Sequence, residues 1–181
     1  GMSFLIPNSE VAGEYYVLMQ LDDGPDAGAI AELNETNNVI SSSTRMQVRQ
    51  ADLVVTQVRV MRSTPPIDDV DHVFLGEDAR FEALVANVGG AVAPDVIVSF
   101  YLSENESLFA AGDPRLGQVV AGSFGPNESR WVVLPSALVP SQRLNGTALP
   151  VQPYFFFAAA VSAGLMETDQ FNNFTHAPPV I

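Results

Sequence analysis

The chain has 181 residues, with 21 acidic and 8 basic side chains and a formal net charge of −13. A surface this acidic repels phosphate groups, which argues against nucleic-acid binding and against attraction to anionic lipid. Hydrophobic residues make up 47% of the sequence, enough for a buried core, and the absence of cysteine excludes disulfides and thiol chemistry. The apolar stretches are too short and too interrupted for membrane insertion.

Short apolar segments along the whole chain are predicted to be β-strands. Each is an alternating or β-branched run bounded by Gly, Pro, Asn or Asp. In chain order they are residues 3–7, 14–22, 39–48, 52–61, 79–88, 95–102, 115–121, 129–134, 154–161 and 171–176. Residues 107–111 are predicted to form a short helical turn. Strands this short, separated by turn residues, predict an all-β sandwich or barrel rather than an α/β fold.

Two parts of the sequence repeat one another. Residues 14–38 and 153–173 both begin with a tyrosine at the head of an apolar strand and continue through a glycine-containing turn and a glutamate to Asn-Asn. The equivalent positions are Tyr15 and Tyr154, Glu32 and Glu167, Asn37 and Asn172, Asn38 and Asn173, and, upstream, residues 4–7 and 132–135. We therefore predict a partial repeat over residues 2–48, consisting of the last three strands of a unit, followed by a complete repeat over residues 49–181.

The Asn-Asn pairs are predicted to have a structural role. Asparagine tolerates the left-handed region and hydrogen-bonds to its own nearby backbone, so the pair can fix where the last strand begins. A metal or ligand role for these four asparagines is the alternative.

The order and spacing of these motifs resemble the bacterial cell-adhesion-related domain, abbreviated CARDB. The similar segments are Ala51–Val55 (the opening strand), Ala86–Gly89 (V-x-N-x-G), Ser99–Ser103 (the YLS strand), Asp113–Gly117 (D-x-x-L-G) and Glu32–Asn38 (E-x-N-E-T-N-N). The resemblance implies an immunoglobulin-like antiparallel β-sandwich with Greek-key topology. It also implies an extracellular repeat used for adhesion, substrate engagement or spacing on large secreted proteins, with no established catalytic residues.

Catalytic motifs are missing from the sequence. The two histidines, His72 and His176, lie beside neither a G-x-S-x-G nor an H-E-x-x-H motif. We therefore expect a protein that is not an enzyme and that has no organic cofactor.

Acidic clusters are the candidate metal ligands. Asp68, Asp69 and Asp71 lie in one loop, and Glu104 and Asp113 flank the predicted helical turn. Crowded carboxylates repel one another, and Ca²⁺, which takes oxygen ligands, would relieve the repulsion. Water and counterions achieve the same in a solvated loop, so both interpretations stay open.

Two further segments have alternative interpretations. Residues 142–152 form an insertion that the first copy lacks, either a binding loop or a tolerated surface insertion. In Phe155-Phe156-Phe157, alternation points neighbouring rings to opposite faces, which predicts either a strand covered on both sides or an exposed aromatic patch for carbohydrate.

The leading functional hypothesis is a non-catalytic adhesion or spacer module, located outside the cell on a bacterial surface or secreted protein. Its expected partner is a protein or cell-surface ligand. The rival hypothesis is a calcium-dependent carbohydrate-binding accessory domain of a secreted hydrolase. Because strands cut from a sandwich leave an uncovered apolar face, residues 2–48 are predicted to pack within a homodimer or against a tandem repeat.

Overall fold

The computed structural model describes residues 6, 12–21, 38–62, 73–107, 113–163, 167 and 169–178. The chain divides into two compact units, residues 1–49 and 50–181. The described strands are β1 (Gly13–Gln20), β2 (Val39–Val48), β3 (Leu53–Arg62), β4 (Asp78–Asn87), β5 (Ala93–Ser103), β6 (Arg115–Phe124), β7 (Ser129–Leu138), β8 (Phe155–Ser162) and β9 (Phe174–His176). No helix capable of crossing a membrane occurs within these described ranges. The all-β prediction is confirmed, whereas most of the predicted turn at 107–111 lies outside the described residues.

The second unit is a sandwich of two antiparallel sheets, as predicted. One sheet has the order β3-β4-β7 and the other the order β6-β5-β8-β9. Side chains alternate along the strands, so every second residue enters the space between the sheets. Phe81 of β4 contacts Phe156 of β8 and Phe100 of β5, with ring centroids 5.2 and 6.3 Å apart. These fully buried rings form the centre of the core.

The chain enters and leaves the sandwich at opposite ends. We call the end that holds the start of β3 and the β8–β9 turn the entry end. Leu53 there pairs with Asn87 at the end of β4. The exit end holds the start of β8, where Phe155 pairs with Ser103, and the chain leaves where the amide of Ala177 donates to the carbonyl of Phe156.

Asn87 organises the entry end. Its side chain is fully buried and its Nδ2 donates to the carbonyls of Ala91, Phe124 and Gly125. Its Oδ1 accepts from the amides of Asp52 and Gly89. A buried amide is stable only when its hydrogen-bonding groups are paired, so this one residue fixes three segments of backbone relative to one another.

Gly89 follows Asn87 because the backbone of the β3 lead-in passes directly beside it. A Cβ at position 89 would lie 2.5 Å from the amide nitrogen of Asp52 and 2.5 Å from the carbonyl oxygen of Gln50. Both are backbone atoms and cannot rotate away. The asparagine and glycine of the V-x-N-x-G motif therefore have one purpose, which is to bring two backbone segments together.

We expect Gly89→Ala to lower the free energy of unfolding by about 1–3 kcal/mol, since the added methyl overpacks a rigid backbone contact. Gly125→Ala is the matched control, because a Cβ there would meet only Glu128 Oε2, at 3.5 Å. The control is expected to change stability by less than about 1 kcal/mol. Urea denaturation followed by tryptophan fluorescence measures both, and equal midpoints would contradict the prediction.

The first unit contains an antiparallel β1–β2 hairpin whose register matches that of β8–β9. The predicted equivalences start from Tyr15 and Tyr154 in the first strand and from Asn38 and Asn173 before the second. With these equivalences, three backbone pairs of the first hairpin match three of the second. Gln20–Val39 matches Ala159–Phe174, Met19–Ile40 matches Ala158–Thr175, and Leu18–Ser41 matches Phe157–His176. The next amide also bonds identically, Leu21 to the Asn38 carbonyl and Ala160 to the Asn173 carbonyl, both at 2.9 Å.

Equal register is what an internal repeat predicts. The assignment of residues 2–48 as the last three strands of a unit stays a prediction, because residues 3–7 lie outside the described residues except for Ile6.

Candidate functional site

The predicted metal ligands fall into two groups. Asp68, Asp69 and Asp71 lie outside the described residues. Glu104 and Asp113 lie at the exit end, on either side of the undescribed residues 108–112. Among the residues that the structure describes, no three His, Asp or Glu side chains are grouped to hold a metal ion. The metal site therefore stays a prediction.

Glu104 forms a bidentate ion pair with Arg143. Arg143 Nε donates to Glu104 Oε1 at 2.7 Å and its Nη2 donates to Oε2 at 2.8 Å. Gln152 Nε2 adds a longer bond of 3.3 Å to the same carboxylate. The fork of the guanidinium matches the two oxygens, so the negative charge of Glu104 is compensated within the protein. Sequence reasoning missed Arg143 because its partner is 39 residues away along the chain.

The insertion 142–152 is an ordered loop fastened by this ion pair. Gln142 and Ala148 form an isolated bridge, and the Arg143 amide donates to the Thr147 carbonyl at 2.8 Å. Gly146 has a φ of 81°, which allows the tight turn at the tip. Leu144 and Val151 are 76% and 94% exposed. The loop thus exposes two aliphatic side chains at the exit end, next in sequence to residues that bond to Glu104.

Tyr154 supports the base of the loop from inside the sandwich. The residue is 5% exposed, and its hydroxyl donates to the carbonyl of Pro150. Burial raises the pKa of the Tyr154 phenol, the Glu104 carboxylate raises this pKa further, and Arg143 opposes both effects. The tyrosine therefore stays protonated, and its hydroxyl serves as a hydrogen-bond donor to the loop.

The Phe155–Phe157 run is covered on both sides. Phe156 enters the core, while Phe157 on the outer face is 1% exposed. The ring of His176 lies 5.0 Å from the ring of Phe157 and 5.1 Å from that of Phe155. Phe156 and Phe157 are thus covered on both sides, but the outer cover includes His176 of the same unit, where the sequence had suggested a neighbouring unit or a partner chain.

A second polar cluster at the entry end fastens the β8–β9 turn to β3. Glu167 Oε2 accepts from the amide of Leu53 at 3.0 Å, and the Asn172 carbonyl accepts from the amide of Val55 at 3.2 Å. Asn172 Nδ2 also donates to Asp52 Oδ1 at 3.0 Å. We call Asp52, Glu167 and Asn172 the clasp. The predicted structural role of the asparagines is confirmed for Asn172, whereas Asn37 lies outside the described residues.

A cavity of about 300 Å³ lies against the clasp. Its polar lining comes from Ser162, Glu167, Gln170 and Asn173. Within the described part of the chain, the buried Asn173 Oδ1 has no hydrogen-bond partner. Burial raises the pKa of the Glu167 carboxyl and Asp52 raises it further, while the Leu53 amide and the Asn173 side chain lower it. The strongest effect is desolvation, so folding raises the pKa of the Glu167 carboxyl and shifts its equilibrium toward the neutral form relative to the unfolded chain.

The stability of the protein is therefore expected to depend on the ionisation of Glu167. A raised pKa means that the folded state holds this proton more tightly than the unfolded chain does. The resulting stabilisation is complete below the unfolded pKa and is lost as pH rises through the folded-state pKa. The Glu167→Gln variant cannot ionise, and its Oε1 can still accept from the Leu53 amide.

We expect the stability difference between Glu167→Gln and the parent protein to grow in favour of the variant as pH rises through the carboxyl range. Urea denaturation at a series of pH values measures it. Asp169→Asn is the control, since Asp169 lies in the same turn and bonds only to the Phe171 amide in the described structure. A difference curve for Glu167→Gln that is flat with pH would contradict the prediction.

Comparisons with known proteins place these features in context. No protein-family model and no curated protein matches the sequence. The structure is similar to the solution structure of the CARDB domain of PF1109 from Pyrococcus furiosus, at 20% identity and a TM-score of 0.46, covering 74% of this chain and 95% of that one. A crystal structure of the same domain in complex with di-metal ions matches at 20% identity and a TM-score of 0.42, with coverages of 72% and 92%.

The C-terminal domain of wzt matches at 13% identity and a TM-score of 0.43, covering 72% of this chain and 70% of that one. The resemblance to CARDB noted in the sequence therefore agrees with the structures to which the chain is similar.

Proposed function

We propose that this chain is a non-catalytic spacer and adhesion module on the outside of a bacterial cell or on a secreted protein. The observation that carries the proposal is the placement of entry and exit at opposite ends of the sandwich. The chain enters where Leu53 pairs with Asn87 and leaves where Ala177 bonds to Phe156. Modules joined through opposite ends add their lengths, so an array of them holds its terminal parts apart.

The exit-end loop supplies the adhesive part of the proposal. Exposed aliphatic side chains on an ordered loop are available to a partner, because burying them removes apolar area from water. Leu144 and Val151 have this character, and the Arg143–Glu104 pair holds their loop in place before any partner arrives. A loop that is already ordered loses less conformational entropy on binding, which favours affinity. The partner would be a protein or another cell-surface ligand.

A spacer must resist force applied along its length, and the strand directions allow this. The backbone hydrogen bonds of antiparallel strands are perpendicular to the strands, so a pull between opposite ends loads many of them at once. A pull between two points at one end instead breaks them in succession. The chain has no cysteine of its own, so engineered cysteine pairs can set the pulling direction.

We expect the double variant Gln50→Cys/Pro178→Cys to unfold at a higher force than Gln50→Cys/Pro126→Cys in single-molecule pulling. Pro178 follows β9 at the exit end, whereas Pro126 lies in the β6–β7 turn at the entry end. Both pairs share Gln50, so they differ in the second attachment point, which sets both the pulling direction and the strands that lie between the attachments. Equal forces, or a lower force for end-to-end pulling, would count against a load-bearing spacer.

The effect of calcium on thermal stability distinguishes this proposal from the rival hypothesis of a calcium-dependent carbohydrate-binding domain. We expect the same Tm in excess calcium chloride and in EDTA, since Glu104 already has Arg143 as its counterion. An ion bound only to the folded state would raise Tm by mass action. A calcium-dependent rise that disappears in the Asp68→Asn/Asp69→Asn/Asp71→Asn variant, with glycan-array binding that needs calcium, would favour the rival.

A further inference from the structure

The β1–β2 hairpin and the β8–β9 hairpin share a register but differ in burial. In the second unit the inward face of β8 carries Phe156, Ala158 and Ala160, which are 1%, 0% and 0% exposed. Counting from Tyr15 and Tyr154, the equivalent residues are Val17 and Met19 of β1 and Leu21 directly after it, which are 37%, 55% and 58% exposed. Ile40, which pairs with Met19, is 61% exposed.

The second unit shows what covers this face when the sandwich is complete. The equivalent face of β8 packs against the β3-β4-β7 sheet, where Phe81 meets Phe156. The far edge of β8 pairs with β5 from Val96 to Ser103. Among the described strands, β1 pairs with β2 alone. Within the described residues, the hairpin therefore has the register of a sandwich hairpin without the covering sheet and the edge partner that its counterpart has.

We infer that the β1–β2 hairpin is one part of a second sandwich, completed by a sheet of the β3-β4-β7 type with a β5-type strand at the edge of β1. The occupant to which we commit is the remainder of another repeat of this kind, joined to the hairpin in one polypeptide. This is how the equivalent hairpin is covered in the second unit. The inference rests on the proposed function, because a spacer array supplies such neighbouring repeats.

The exposed apolar face and the open edge of the β1–β2 hairpin are unfavourable in water, which favours a cover. An isolated two-stranded hairpin is marginally stable in water, and an open strand edge invites pairing with other chains. Tyr16 and Leu18 on the opposite face of β1 are also exposed, which adds to the apolar surface. A second copy with a net charge of −13 would have to associate from solution against electrostatic repulsion, whereas a repeat joined in the same polypeptide has a high effective concentration, so the neighbouring repeat is the better occupant.

Side-chain size makes the inference more specific. Met19 and Leu21 stand where the second unit has Ala158 and Ala160, whereas Val17 stands where it has Phe156. A close-packed core tolerates little extra volume, so the natural cover must have more room opposite Met19 and Leu21 than β3-β4-β7 has opposite the two alanines. The cover is thus of the same architecture but differs in its side chains.

The test replaces residues 1–6 of the chain with a cover. Residues 50–134 are fused directly before Pro7, because Leu134-Pro135 is equivalent to Ile6-Pro7. A second fusion also carries Val17→Phe/Met19→Ala/Leu21→Ala, which gives the hairpin the side chains that β3-β4-β7 accommodates. Hydrogen exchange of the amides of residues 17–21 is measured by mass spectrometry in both fusions and in the unmodified chain.

We expect these amides to exchange about tenfold or more slowly in the second fusion than in the unmodified chain, because a packed hairpin opens less often. The first fusion is expected to show a smaller effect, owing to overpacking by Met19 and Leu21. Phe81→Asp in the added copy alone is the control, and it should restore fast exchange. Fast exchange in both fusions would overturn the inference.

A second copy of the chain is the competing occupant. Light scattering that shows a dimer of the unmodified chain, with slow exchange of residues 17–21 that is lost on dilution, would overturn the commitment to a neighbouring repeat. Neither result bears on the pulling experiment, which depends on residues 50–178 alone. Failure of this inference is therefore distinguishable from failure of the spacer proposal.

Discussion

The attachment of β3 to both sheets is the constraint on which the sandwich depends. β3 is an edge strand of the β3-β4-β7 sheet, so alternate N–H groups point away from β4. The clasp accepts two of them, from Leu53 and Val55, through Glu167 and Asn172. The register with β4 shifts directly after Val55. The start of β3 is thereby bonded to the turn of the opposite sheet, and an otherwise open edge is closed.

This closure joins the beginning and the end of the unit. Leu53 and Glu167 are 114 residues apart in sequence, so their contact forms only when the intervening strands are in place. The Asn87 network at the same end has a complementary role, because it ties the lead-in of β3 to the β6–β7 turn. Polar groups at the entry end therefore set the geometry, while the phenylalanine core supplies most of the driving force.

Other contacts hold the exit end. Its loop 142–152 is fastened by the Arg143–Glu104 ion pair, by the Tyr154 hydroxyl and by Leu149, whose side chain is buried and whose amide donates to the Ser141 carbonyl. The exposed residues at the loop surface make no contribution to the core, so substitutions there can alter binding without altering the fold.

Sequence and structure agree most closely where local pattern decides. The strand predicted at 115–121 is observed as Arg115–Phe124, and the hairpin repeat appears with matching register. Strand ends were less predictable. The last strand begins at Phe174 rather than Phe171, because Asn172 and Asn173 form the turn. β7 continues past Pro135 to Leu138, since the proline lies at a register shift where no N–H is needed.

The sequence by itself determined the all-β class, the repeat and the positions where only asparagine or glycine fits. These properties depend on side-chain alternation and backbone conformation, which a short stretch of residues already contains. Tertiary structure alone decided that Glu104 pairs with Arg143, that Phe157 is covered, and that Glu167 is half-buried near Asp52. Each of these depends on the register between strands distant in sequence, which is set when the two sheets close on a common core.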